Sequence, residues 1–294
     1  MLLISFFAGG AARIGALDRR HDQVIDFSRT SPELPTDMPA FIALGPAGLD
    51  AARRALASGE GRLPLNDVRL LAPIPRPPRN IFCVGKNYRD HVQEVRAIVT
   101  RGDGQGLPEV PIFFTKATSA VIGPDQPIPA RLDPTDSTDY EGELAVVIGP
   151  GGRNIAAADA ADHIYGFTIV NDATSRGLQF RHQQWFLGKS LDGFCPMGPA
   201  ILTADEVTDV TALRVQTRVN GELRQDGRLD QLIFDVPTLV QTLAATMTLE
   251  AGDIIATGTP AGVGMGFDPP RYLRSGDEVA ITIDPIGTLR NPVE

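Results

Sequence analysis

From residue 112 to the C-terminus the chain is cut into short apolar runs, each closed by Gly, Asp or Pro. They read EGELAVVIG, IYGFTIVND, LRVQTRVNG, DIIATG and EVAITID. Short runs between turn-forming residues are strands. The helical stretches, AAADAADHI, SRGLQFRHQQWF and DVPTLVQTLAATM, are few and scattered. The pattern is α+β and β-rich, not the strict βαβ alternation of a doubly wound fold.

Residues 1–72 read as a small N-terminal domain. LLISFFA and QVIDFS are strand-like, and GLDAARRALASG is a short helix stopped by Gly59. Four prolines then fall within LAPIPRPPRNIFCVG, at positions 73, 75, 77 and 78. They forbid regular structure there. The main domain, 73–294, opens with a buried strand, NIFCVG, and a helix, NYRDHVQEVRAIV. The glycine-rich TRGDGQGLPEVP follows.

The length, 294 residues, supports a substantial core. A net charge of −9 weighs against a nucleic-acid partner, which needs cations for phosphate. Cys83 and Cys195 form no CxxC motif, which fits a reduced, cytoplasmic setting. The opening MLLISFFAGG lacks a basic segment before its apolar run, so it reads as a strand rather than an export signal. With no run of about twenty apolar residues, no membrane helix is expected.

Several chemistries are excluded cheaply. GKS at 188–190 lacks the upstream P-loop glycine, because Gln183 stands there. GVGMGF ends on Phe267 where a dinucleotide fingerprint needs glycine. No G-x-S-x-G elbow, H-E-x-x-H or Cys/His cluster occurs.

What stands out is acidic. Glu141 and Glu143 are two apart in DYEGELAVVIG, so on a strand they share a face at the entrance to a buried run. Asp172 ends another apolar run. Three oxygen donors without sulfur or imidazole suit Mg²⁺ or Mn²⁺. Lys189 sits in an apolar stretch and needs an anionic partner. Thr259 lies in a Gly/Pro loop that could approach a carboxylate.

In order and spacing, GKNYRDHVQE, FFTKATSAVIGP, DYEGELAVVIG, GFTIVNDATSR, GKSLDGFCPMGP and GDIIATGTPAGVG resemble the fumarylacetoacetate hydrolase family, over most of residues 75–294. The resemblance implies a mixed, rolled β-sheet core with peripheral helices, commonly in a homodimer. It implies Glu141, Glu143 and Asp172 as ligands of Mg²⁺ or Mn²⁺, and Lys189 as the active-site lysine. It places His91 and Glu94 as a dyad on a short lid helix, and Arg176 and Thr259 beside the substrate. Gly177 departs from the family, which often has an acidic residue there. In a helix His91 and Glu94 share one face, and a carboxylate beside an imidazole makes a competent general base.

The expected activity is metal-dependent hydrolysis of the C–C bond of an acylpyruvate-type 2,4-diketo acid. The dyad would activate water, Lys189 would steady the leaving pyruvate enolate, and closure of residues 86–110 would exclude solvent. Oxaloacetate decarboxylation and muconate-type isomerisation or tautomerisation use the same enolate. A non-catalytic keto-acid-binding protein is the reading of another class, and the intact set of site residues argues against it.

Overall fold

The computed structural model describes residues 1–98 and 107–294. The expected lid, 86–110, therefore falls partly outside the described residues.

The core is one mixed sheet. Its main path runs Arg62–Pro64, Gln23–Asp26, Ala11–Asp18, Leu2–Ala8, Cys195–Thr203, Ile164–Asn171, Gly142–Ile148, Ile254–Ala256, Ile81–Gly85 and Ile112–Lys116. Ile254–Ala256 and Ile81–Gly85 are parallel; the other neighbours along this path are antiparallel. A second, antiparallel sheet of four strands (Glu222–Arg228, Arg214–Val219, Glu278–Ile283, Gly287–Pro292) packs beside it.

The two sheets read differently in sequence for a physical reason. Gly142–Ile148 and Cys195–Thr203 are buried at every residue, so both faces of each strand are mostly small or apolar, with Glu143 the charged exception. In Arg214–Val219 buried and more exposed residues alternate, the pattern of a strand with one face toward water. Gly142 lies where the sheets meet. A Cβ there would fall 2.2 Å from Thr217 Oγ1, so a side chain cannot stand between the two glutamates.

The sheet is rolled. Lys116 ends the strand four places from Ile164–Asn171, yet its Nζ lies 2.6 Å from Asp172 Oδ1. In a flat sheet four strand spacings would separate them by roughly 19 Å, beyond any side chain's reach. The chain continues from Lys116 into Val121–Ile122, which pairs with Cys195–Thr203 and draws the sheet around.

Local chemistry explains the helices. Gly59, in left-handed backbone, ends Pro46–Ser58 as expected. Asp235 caps Val236–Thr246 by accepting from Thr238 N. The stretch AAADAADHI forms a 3₁₀ segment, Ala157–His163, rather than an α-helix. SRGLQFRHQQWF breaks into Arg176–Arg181 and Phe186–Lys189. Glu141 lies just before the strand that carries Glu143.

The proline-rich segment after residue 72 is irregular, as its sequence requires. The sheet nevertheless runs across it: Leu2 and Leu3 pair with Leu202 and Ile201. Phe27, Met38 and Phe41 share one apolar cluster with Ala145, Val147 and Ile201. A division at residue 72 is a proposal about folding units only. Among the described residues no helix is long and apolar enough to cross a membrane.

Candidate active site

Antiparallel pairing of Gly142 with Asn171 sets the start of one strand beside the end of its neighbour. Glu141, Glu143 and Asp172 thereby converge: each offers an oxygen within 4.8 Å of the others, and all three are buried. Such a cluster needs cations. Lys189, ending Phe186–Lys189, places Nζ 2.7 Å from Glu141 Oε2 and 2.7 Å from Asp172 Oδ2. Lys116, completely buried, donates to Asp172 Oδ1 at 2.6 Å and Ala173 O at 2.9 Å. Arg176 sets Nη1 2.6 Å from Glu141 Oε1 and donates through Nε to Asp139 Oδ2 at 2.8 Å.

Asp139, Glu141, Glu143 and Asp172 thus face Lys116, Arg176 and Lys189, four buried carboxyl groups against three buried cations. Among the described residues Glu143 has no ion-pair partner; it accepts from Gly258 N at 2.8 Å. Burial, reinforced by Asp172 and Glu141, pushes its carboxyl well above the usual carboxylate range. Burial would raise Glu141 too, but the charges of Lys189 and Arg176 overcome it and hold that carboxyl far below its ordinary value. Burial opposes the charge on Lys189, and Asp172 and Glu141 more than offset it. The cluster of Glu141, Glu143 and Asp172, which offers oxygen donors without sulfur or imidazole, fits a divalent cation of the Mg²⁺ and Mn²⁺ class.

The opposite wall comes from the helix Arg89–Ile98. His91 Nδ1 lies 3.2 Å from Glu94 Oε2, as the spacing predicts. Glu94 Oε1 accepts from Gly262 N at 2.9 Å. Glu94 also rests on Gly266, where a Cβ would fall 2.1 Å from Oε1. If Nδ1 carries the ring proton toward Glu94, Nε2 is the basic nitrogen.

Between the walls lies a cavity of about 290 Å³, lined by His91, Glu141, Glu143, Arg176, Lys189 and Thr259. Val84, Phe114, Trp185 and Met265 supply apolar surface. Phe114 and Trp185 meet edge to face at 5.3 Å, and Lys189 Nζ lies 5.0 Å from the Phe114 ring centroid. All the residues singled out in the sequence therefore meet here, with Asp172 in the carboxylate cluster and Glu94 next to His91.

Thr259 lines the cavity, and its side chain is also tied to the fold. Its hydroxyl donates to Gly142 O at 3.0 Å and accepts from Gln225 Nε2 at 2.7 Å, so its proton is committed to the fold. Arg176 Nη2 is buried without a partner among the described residues, so it is a donor that could meet a ligand.

Two residues escaped the sequence reading. Lys116 closes the apolar run IFFTK, and the reasoning applied to Lys189 applies equally to it. Asp139 gave no local signal. It accepts from Gly264 N (2.6 Å), Met265 N (3.0 Å) and Arg176 Nε (2.8 Å). It thus ties the loop beneath Glu94 to the arginine beside Glu141.

The family model for the fumarylacetoacetate (FAA) hydrolase C-terminal region matches residues 80–294. Oxaloacetate tautomerase YisK of Bacillus subtilis (strain 168) is 54% identical over 229 residues, 78% of this chain and 74% of that protein. Among solved structures, a fumarylacetoacetate hydrolase from psychrophilic Exiguobacterium antarcticum shares 44% identity at a TM-score of 0.84, covering 100% of this chain and 99% of that one. A maleylpyruvate hydrolase from Sphingobium sp. SYK-6, in complex with manganese(II) ion and pyruvate, shares 32% identity at a TM-score of 0.80, covering 100% and 98%. The matched region carries the whole carboxylate cluster and the dyad, and the likeness to solved members extends over the full chain: it belongs to the fumarylacetoacetate hydrolase family.

Proposed function

We propose that this chain interconverts the keto and enol forms of a small 2-keto acid of the oxaloacetate type. The carrying observation is the placement of a His–Glu dyad on the same cavity as a buried carboxylate cluster bridged by Lys189. That arrangement sets a proton acceptor near a place where enolate charge can be stabilised. The 54% identity to an oxaloacetate tautomerase supports the choice among enolate reactions.

Glu141, Glu143 and Asp172 would hold Mg²⁺ or Mn²⁺, which supplies a Lewis acid for the keto oxygen. His91 Nε2 removes the C3 proton, and Glu94 balances the imidazolium that forms. Lys189, held charged by Asp172 and Glu141, stabilises the developing negative charge. Arg176 Nη2 offers a further hydrogen bond. His91 then returns the same proton to the C2 oxygen, giving the enol. The apolar walls limit the water that would compete for it.

A second reading, cleavage of an acylpyruvate-type 2,4-diketo acid, is favoured by the likeness to the pyruvate-bound maleylpyruvate hydrolase. There His91 Nε2 would take its proton from water. Oxaloacetate decarboxylation passes through the same enolate. A homodimer and a cytoplasmic setting belong to the proposal, the latter because Cys83 and Cys195 are free and buried.

The test uses chelator-stripped protein with Mg²⁺ or Mn²⁺ restored. Enol absorbance is followed with oxaloacetate, and pyruvate is followed with oxaloacetate and acetylpyruvate. Metal-dependent enol relaxation without pyruvate is the expected result. Pyruvate from acetylpyruvate moves the assignment to the second reading, and inactivity in all assays overturns both.

A further inference from the structure

Six non-glycine residues among those described have positive φ: Asp22, Lys86, Asp125, Asp136, Asn154 and Asn220. Five are Asp or Asn, whose short polar side chains tolerate left-handed backbone. Lys86, at φ +57°, is the exception. A lysine gains nothing locally from this conformation, so the surroundings impose it.

Those surroundings are identifiable. Lys86 follows the buried strand Ile81–Gly85 and precedes Asn87, which is completely buried. Asn87 Nδ2 donates to Phe234 O at 3.0 Å and Thr257 O at 2.8 Å. Its Oδ1 accepts from Phe234 N at 2.8 Å, and its carbonyl accepts from Ile233 N at 2.7 Å. The backbone is therefore fixed on both sides of Lys86, and Lys86 lines the same cavity as His91 and Lys189.

Its charge is available there. Arg176 and Lys189 each pair with two carboxylates at 2.8 Å or less. Among the described residues no carboxylate lies within 4.0 Å of the Lys86 ammonium. The apolar residues that line the same cavity, Val84, Phe114 and Trp185, have no cation to offer a carboxylate.

We propose that Lys86 pairs with the distal carboxylate of the substrate and so selects 2-keto diacids over 2-keto monoacids. This rests on the keto-acid reading of the site. In a four-carbon diacid only two carbons separate the carboxylates. With the keto-acid end at Arg176 and Lys189, the second carboxylate must find its partner within the same cavity or lie there unpaired. Among the described residues that line the cavity, Lys86 is the cation left to meet it.

The test measures binding of stable analogues, so it does not depend on turnover. L-Malate and 2-hydroxybutanoate are titrated calorimetrically into the Mg²⁺-supplemented protein. They share the 2-hydroxy-acid end, and only malate carries the distal carboxylate. Wild type is expected to prefer malate by roughly tenfold, the effect of one charge-assisted hydrogen bond in a partly open site. Lys86→Met, which keeps the length, should bring the ratio to about one, and Lys86→Arg should restore most of it. Lys86→Asn, better suited to the backbone, should lose the preference while remaining folded by circular dichroism. A preference unchanged in Lys86→Met, or no preference in wild type, overturns the proposal. A Lys86-dependent preference in a protein inactive on oxaloacetate would leave the diacid site standing and remove the tautomerase reading.

Discussion

The two walls of the cavity differ in how they are held. The carboxylate wall grows from paired strands of the main sheet, and Asp172 is 0% exposed with Lys116 and Lys189 on its two oxygens. The dyad wall is one helix in which Glu94, 17% exposed, takes a single backbone hydrogen bond and rests on a glycine. Strand-borne groups locked by ion pairs are preorganised for charge. A helix-borne group held by one backbone N–H and by its His91 partner is displaced more cheaply than one locked by two buried ion pairs, which suits proton transfer. On the proposed function, one wall would fix the charge and the other would move the proton.

The largest blow to this contrast is Asp172→Ala. It strands Lys116 and half the support of Lys189, and should cost about 3–5 kcal/mol of stability. Metal-dependent activity should fall by more than roughly 100-fold, the most that losing an outer partner typically costs. Urea unfolding and the assay above read both, and a mutant with normal stability would show that the cluster is not held by these ion pairs. On the other wall, His91→Gln should lower kcat by about 10²–10⁴-fold while leaving the thermal shift caused by Mn²⁺ intact. Loss of that shift would mean the walls are not independent.

Gly266→Ala sharpens the contrast further, because the new methyl takes the seat of the Glu94 carboxylate, while Glu141, Glu143 and Asp172 are not among its nearest neighbours. We expect kcat to drop roughly 10- to 100-fold with the Mn²⁺ shift retained. The smallest effect should come from Thr259→Val. It removes hydrogen bonds to Gly142 and Gln225, costing about 1 kcal/mol in chemical denaturation, with kcat/KM changed less than tenfold. A larger loss of activity would support Thr259 as a ligand contact.

Much of the carboxylate wall was legible, because Glu141, Glu143 and Asp172 sit at the margins of apolar strands where charge is conspicuous. The dyad was legible from helical spacing. Lys116 was readable by the same logic as Lys189 but was passed over. Asp139 was not readable, since its partners Gly264, Met265 and Arg176 are remote in sequence. The strand Cys195–Thr203 was hidden by Pro196 and Pro199, which argue against a central strand. Its pairing with Ile164–Asn171 shifts register between Phe167 and Ile169, skipping Pro199, and Pro196 pairs with a short parallel strand. The docking of Leu2–Ala8 on that strand is a tertiary event that no local pattern announces.

That docking bears on how the molecule can be shortened in the laboratory. A truncated form starting after residue 72 would strip the partner from Leu202 and Ile201 and leave an apolar sheet margin open to water. Unpaired N–H and C=O groups on such a margin are a template for pairing with another chain. Expression trials of the catalytic part alone should therefore yield inclusion bodies or strand-swapped aggregates, even though every residue of the cavity would still be encoded.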